Sequence, residues 1–161
     1  MGLDIIAYRG LRKGEGSEGR ATGGAADWEN GWVELHRNDE FPGRADEIES
    51  GAVYLPEEKF YFRAGSYGGY NIWREHLALL AGFSAAATVW DNPAPGPFME
   101  LIDFSDCEGT IGATVARKLA QDFAAFQAQA DRHPSCDFRE LYADWRRAFE
   151  MAADRGAVLF S

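Results

Sequence analysis

Residues Arg63 to Arg74 (Arg-Ala-Gly-Ser-Tyr-Gly-Gly-Tyr-Asn-Ile-Trp-Arg) hold the densest set of side chains able to do chemistry. Gly65, Gly68 and Gly69 loosen the backbone, Ser66 and Asn71 offer hydrogen bonds, and Tyr67, Tyr70 and Trp73 offer flat faces. An arginine closes each end, and guanidinium groups fork to phosphate or carboxylate. The stretch leaves a strand-like run, Lys59 to Arg63, and enters a helix-like run, Trp73 to Leu80. A turn of that kind exposes backbone N–H groups at a helix start, beside aromatic rings that can stack. It is not a P-loop, because no Gly-Lys-Ser/Thr follows, and Gly68-Gly69 lacks the dinucleotide spacing G-x-G-x-x-G. A purely structural reading is equally open: the glycines permit a tight strand-to-helix turn, and Tyr70 and Trp73 anchor the helix.

A second cluster, Asp103-Phe104-Ser105-Asp106-Cys107-Glu108-Gly109, sits between an apolar run and a helix-like run. Asp103, Asp106 and Glu108 could hold a divalent cation, or do acid–base work with Asp91. Acidic residues at a helix start also serve as caps and complement its dipole. Cys107 lies between two acids, which raise a thiol pKa and make it a poor nucleophile. The histidines (His36, His76 and His133) and the cysteines (Cys107 and Cys136) show no zinc-ligand spacing. Arg44, in the Phe41-Pro42-Gly43 turn, is expected to be exposed, either paired with Asp46 or free for a ligand.

The elements that must position these groups follow from periodicity. Strands are expected at 3–8, 32–37, 52–55, 59–63, 98–104 and 157–160, the second to fourth forming a meander. Phe98 to Phe104, apolar on both sides, reads as a central strand. Helices are expected at about 70–81, at 111–130 with Val115, Leu119, Phe123 and Phe126 buried, and from Asp137 to Gly156. The last opens on a capping-box-like Asp137-x-x-Glu140 and buries Phe138, Leu141, Trp145, Phe149 and Ala152. Residues 10–31, with seven glycines, have little to bury and read as a mobile loop. With strands early and helices late, the fold class is α+β: a mostly antiparallel sheet with about three helices packed on it.

Composition sets the outer bounds. At 161 residues, 14% of them aromatic, the chain forms one domain, 1–161, with a core of ordinary size. A formal net charge of −10 argues against nucleic acid and anionic membrane, both of which need Lys and Arg to displace counterions. Two cysteines make no disulfide framework, and reduced thiols are expected. Neither a signal peptide nor an apolar run of membrane-spanning length is evident, so a cytoplasmic protein without cofactor is expected. The aromatic content leaves room for a homo-oligomer.

Four phrases carry a resemblance: Phe41-Pro42-Gly43-Arg44-Ala45-Asp46, Ala52-Val53-Tyr54, Phe62 through Arg74, and Phe104 through Gly112. Together they resemble a group of small accessory proteins encoded in tailed-phage and prophage genomes, over about residues 32–126. The resemblance carries no catalytic residues. It implies a protein made in a bacterial cytoplasm that counters host defence, by sequestering a nucleotide signal or by binding a defence protein. On this basis the leading expectation is capture of a small phosphate-bearing or aromatic ligand. Arg44, Arg63 and Arg74 would hold phosphate, Tyr67, Tyr70 and Trp73 would stack on a base or ribose, and Ser66, Asn71 and Asp106 would complete the hydrogen bonds. The alternatives are an acidic inhibitor of a host defence protein, and a metal-assisted nucleotide hydrolase using Asp103, Asp106 and Glu108.

Overall fold

Side-chain alternation in the first strand decides the layering. In the computed structural model, which describes residues 1–161, β1 (Gly2–Arg9) turns Leu3, Ile5 and Ala7 to one face and Ile6 and Tyr8 to the other. Both faces are apolar, so both must be covered. Strand β5 (Glu58–Ser66) pairs with one edge of β1, and β7 (Ala157–Phe160) with the other. Strand β6 (Gly109–Gly112) joins β7, giving an antiparallel sheet of order β5-β1-β7-β6. A separate antiparallel sheet of order β2-β4-β3 comprises β2 (Arg12–Lys13), β3 (Val33–Leu35) and β4 (Ala52–Leu55). Its Leu35, Ala52 and Tyr54 cluster with Tyr8 and Ala157, covering the second face of the larger sheet. The expected meander is therefore split: β3 and β4 stay together, while β5 pairs with β1.

The fold is α+β with antiparallel sheets, and three long helices cover the first face. They are α1 (Tyr67–Leu80), α4 (Ala113–Ala125) and α6 (Cys136–Ala152). Short helices α2 (Ala86–Asp91), α3 (Met99–Ile102) and α5 (Gln127–Asp131) fill the corners. Trp145 of α6 is fully buried at the centre, against Phe62, Tyr70, Trp73, Phe149 and Phe160 with ring centroids 5.1–5.7 Å apart. Helix α6 ends at Ala152, before the expected Gly156, and Gly156 passes against β1 on the way into β7. A Cβ there would strike the Tyr8 carbonyl, so only glycine fits. No helix is long and apolar enough to cross a membrane, and both cysteines are free and exposed.

Several local expectations are corrected. Residues 98–104 form no strand. Phe98 is left-handed (φ 59°), and Phe98, Leu101 and Ile102 are buried along the single turn of α3. An apolar run this short does not distinguish a buried strand from a buried helical turn. The strand lies instead at Gly109–Gly112, inside what read as a turn and helix start. Consequently α4 begins at Ala113 and buries Ala116, Leu119 and Phe123, while Val115 and Phe126 are only partly covered and the expected helix breaks at Phe126 before α5. Helix α1 starts at Tyr67, before the expected residue 70, because Ser66 accepts from the Gly69 N–H at 3.0 Å. Ser135, not Asp137, caps α6 by accepting from the Phe138 N–H. That frees Glu140 to accept from the Cys136 thiol at 3.4 Å. The glycine-rich segment 10–31 contains β2, an Arg20–Ala26 bridge and a 3-10 turn at Trp28–Asn30. Arg12 lies over the Trp32 ring, and Arg20 donates to the Gly51 carbonyl.

The aromatic cluster gives a direct stability test. Trp145→Ala should cost about 3–5 kcal/mol in denaturant unfolding, since it opens a cavity touching five rings. A loss below about 1 kcal/mol would contradict this packing.

Candidate binding cleft

In the one-turn helix α3 Leu101 and Ile102 are buried and Met99 and Glu100 partly covered, and a single turn leaves its last carbonyls without intrahelical donors. Unpaired, each would carry a desolvation cost of about 1–3 kcal/mol. Two arginines and a tryptophan donate to them. Arg44 donates from Nε to the Glu100 carbonyl at 3.1 Å and from Nη2 to the Asp103 carbonyl at 2.9 Å. The same guanidinium pairs with the Asp103 carboxylate at 3.4 Å. Arg74 donates to the carbonyls of Ile102 (3.1 Å) and Phe104 (2.6 Å), and to Asn71 Oδ1. Trp90 Nε1 donates to the Ile102 carbonyl at 2.7 Å.

These contacts shape a cleft of about 400 Å³. Phe41 and Trp90 supply aromatic surface, Arg74 and the backbone of 103–107 supply the polar lining, and Glu40, Asp103 and Asp106 supply carboxylates. Arg74 is only 4% exposed, yet it has no carboxylate within ion-pair distance, and its Nε–H has no partner. Its guanidinium carbon lies 4.7 Å from the Tyr70 ring centroid and 5.5 Å from that of Trp90. The Tyr70 hydroxyl is likewise buried and unpartnered, and burial raises its pKa well above the usual phenol range. Asn71 links the parts: its amide donates to Asp106 Oδ2 at 3.0 Å and accepts from Arg74.

The residues expected from sequence divide among several places. Arg74 and Asp106 line this cleft, with Asn71 bridging them. Tyr70 lies beside Arg74 but is fully enclosed, stacked on Trp73, so neither ring offers a free face there. Trp73 donates to the Phe138 carbonyl and faces a second cleft of about 290 Å³ between the starts of α1 and α6. Ser66 caps α1, and Tyr67 is half-buried against the main core. Arg63 stands away on the outer face of β5, 53% exposed and 3.5 Å from Asp4. Arg44 is half-buried and bonded to backbone, not exposed and not paired with Asp46. The three arginines expected to hold phosphate therefore do not converge.

Sequence reasoning missed Phe41 and Trp90. Trp90 is 43% exposed although it is a large aromatic, and it directly precedes the proline-rich stretch 91–97. A tryptophan beside chain that cannot form regular structure was the available signal. No protein-family model, curated protein or solved structure matches this chain.

Two predictions follow from this geometry. Arg44→Ala should lower stability by about 2–3 kcal/mol in chemical unfolding, because buried carbonyls lose a charged donor; an unchanged midpoint would mean that Arg44 does not hold α3. Beside the second cleft, His133 stacks on Phe138 and meets His76 edge-on at 5.1 Å. Burial first, and then the neighbouring His76 charge, lower the His133 pKa from its ordinary value of 6.5. The unfolded chain therefore takes up the proton first, and stability falls as pH drops below that value. Melting scans from about pH 7 to about pH 5 should show a smaller decline for His133→Phe than for the natural protein.

Proposed function

We propose that this chain is a non-enzymatic capture protein whose small polar ligand enters the Phe41–Trp90 cleft. In the phage-type accessory role that the motif resemblance implies, capture removes a nucleotide-type signal from a host defence. The observation that carries the reading is Arg74, a buried cation with no carboxylate in ion-pair distance, lining an open cleft. Buried charges are ordinarily paired, so a site that leaves one unpaired favours a ligand that completes it. Capture is favoured over turnover because the cleft's groups are tied to one another: Asp103 to Arg44, Asp106 to Asn71, and the Ser105 hydroxyl to the backbone N–H groups of Cys107 and Glu108.

A second reading, an acidic inhibitor that binds a basic defence protein, is favoured by a different observation. Asp39, Glu40, Asp46, Asp106 and Glu108, none of them ion-paired, line three adjoining clefts around residues 36–46. Such a face attracts a basic surface and weakens with salt.

One experiment addresses both. Thermal-shift and tryptophan-fluorescence titrations against nucleosides, nucleotides, cyclic dinucleotides and ADP-ribose derivatives should reveal a stabilising compound. Trp90→Ala should abolish that effect while leaving the circular-dichroism spectrum unchanged. If none of these classes stabilises the protein, the capture reading fails. Salt-sensitive association with a purified basic defence protein would then support the second.

A further inference from the structure

Resting on the reading that the Phe41–Trp90 cleft binds a ligand, we infer that it recognises a planar lactam edge, such as that of guanine or hypoxanthine, and not a phosphate. Arg74 is the cleft's unpaired donor. Its Nη1 hydrogens are held by the Ile102 and Phe104 carbonyls and one Nη2 hydrogen by Asn71, and its Nε–H is enclosed, which leaves the second Nη2–H able to meet one acceptor. A phosphate needs several donors or a forked pair, and with its Nε–H enclosed this arginine cannot supply a fork. Three carboxylates share the same lining, Glu40, Asp103 and Asp106, and Arg44 balances only Asp103. The cleft therefore repels a polyanion and accepts hydrogen-bond donors.

The acceptor side is equally specific. Asp106 uses Oδ2 to accept from Asn71, and its Oδ1 has no protein donor. Asn71 accepts from Arg74 Nη2 and donates to Asp106, so the free Nη2–H and the open acceptor are separated by a single side-chain amide. A ligand edge with a carbonyl beside ring and amino N–H groups presents the matching order. Trp90 has its indole N–H committed to the Ile102 carbonyl, so what it offers a ligand is ring surface. A flat heterocycle fits that by stacking on the ring. A nucleotide bound this way has its base in the cleft and its phosphates outside it.

Calorimetric titration of the whole protein with guanosine, inosine, adenosine and pyrophosphate tests the inference. Guanosine and inosine should bind and quench Trp90 fluorescence. Adenosine, whose edge reverses the donor and acceptor order, should bind at least about tenfold more weakly, and pyrophosphate should not bind. Asp106→Asn, which keeps an oxygen for Asn71, should weaken guanosine about tenfold while the fold, read by circular dichroism, stays intact. Equal affinity for adenosine, binding of pyrophosphate, or an unchanged guanosine affinity in Asp106→Asn would each overturn the lactam inference and leave ligand capture standing. No binding by these or by any compound of the wider screen would overturn both.

Discussion

The buried turn at Met99–Ile102 imposes the constraint around which this corner of the protein is organised. A one-turn helix cannot satisfy its own last carbonyls, and here they lie in a buried or partly buried setting. Arg44 comes from one side, Arg74 and Trp90 from the other, and together they hold the carbonyls of residues 100, 102, 103 and 104. Arg74 thereby ties α1 to the segment that leads into β6, while Arg44 ties the 41–46 turn to the same segment. Because β6 pairs with β7, and β7 with β1, the clamp also joins the helical layer to the edge of the main sheet.

The cleft is a consequence of that clamp. Side chains drawn together to reach backbone carbonyls leave aromatic surface between Phe41 and Trp90, carboxylates at the rim, and one arginine whose N–H groups are not all engaged. The electrostatics are mixed, a buried cation within an acidic surround, and this favours ligands with donors and acceptors side by side. In a chain of net charge −10, a site assembled from exposed arginines would have stood out; the one assembled here hides its cation.

Some elements were legible in the sequence because their signal is local. Ala52–Leu55 and Ala157–Phe160 were read to the residue from short apolar runs bounded by turn residues. Of the stripe expected from helical spacing, Phe138, Trp145, Phe149 and Ala152 are buried and Leu141 is only partly covered. The Arg63–Arg74 stretch does join a strand to a helix, but β5 runs on to Ser66 and α1 starts at Tyr67, with Ser66 serving as cap and Gly65 at φ 114° where a side chain would be strained. What failed was inference from side-chain type to exposure. An arginine reads as a surface cation, yet Arg74 is buried because carbonyls 28 and 30 residues away need its donors. The apolar stretch 98–104 was misread for a related reason: its seven residues fit either period, and only packing against Phe123 and Asp122 selects the turn.

By itself, then, the sequence determined the α+β class, the three long helices, most strands and a turn rich in hydrogen-bonding and aromatic groups. Those features depend on propensity, capping and periodicity within a few residues, which a linear chain displays openly. Tertiary structure decided which groups of that turn face a cleft, because that depends on long-range hydrogen bonding. Arg74 and Asn71 were directed to α3 and Asp106, Tyr70 and Trp73 to the core, and Arg63 to the outer face of the sheet. The same twelve residues that read as one binding loop are thus distributed over a clamp, a core and a surface, and the cleft is completed by Phe41 and Trp90 from elsewhere in the chain.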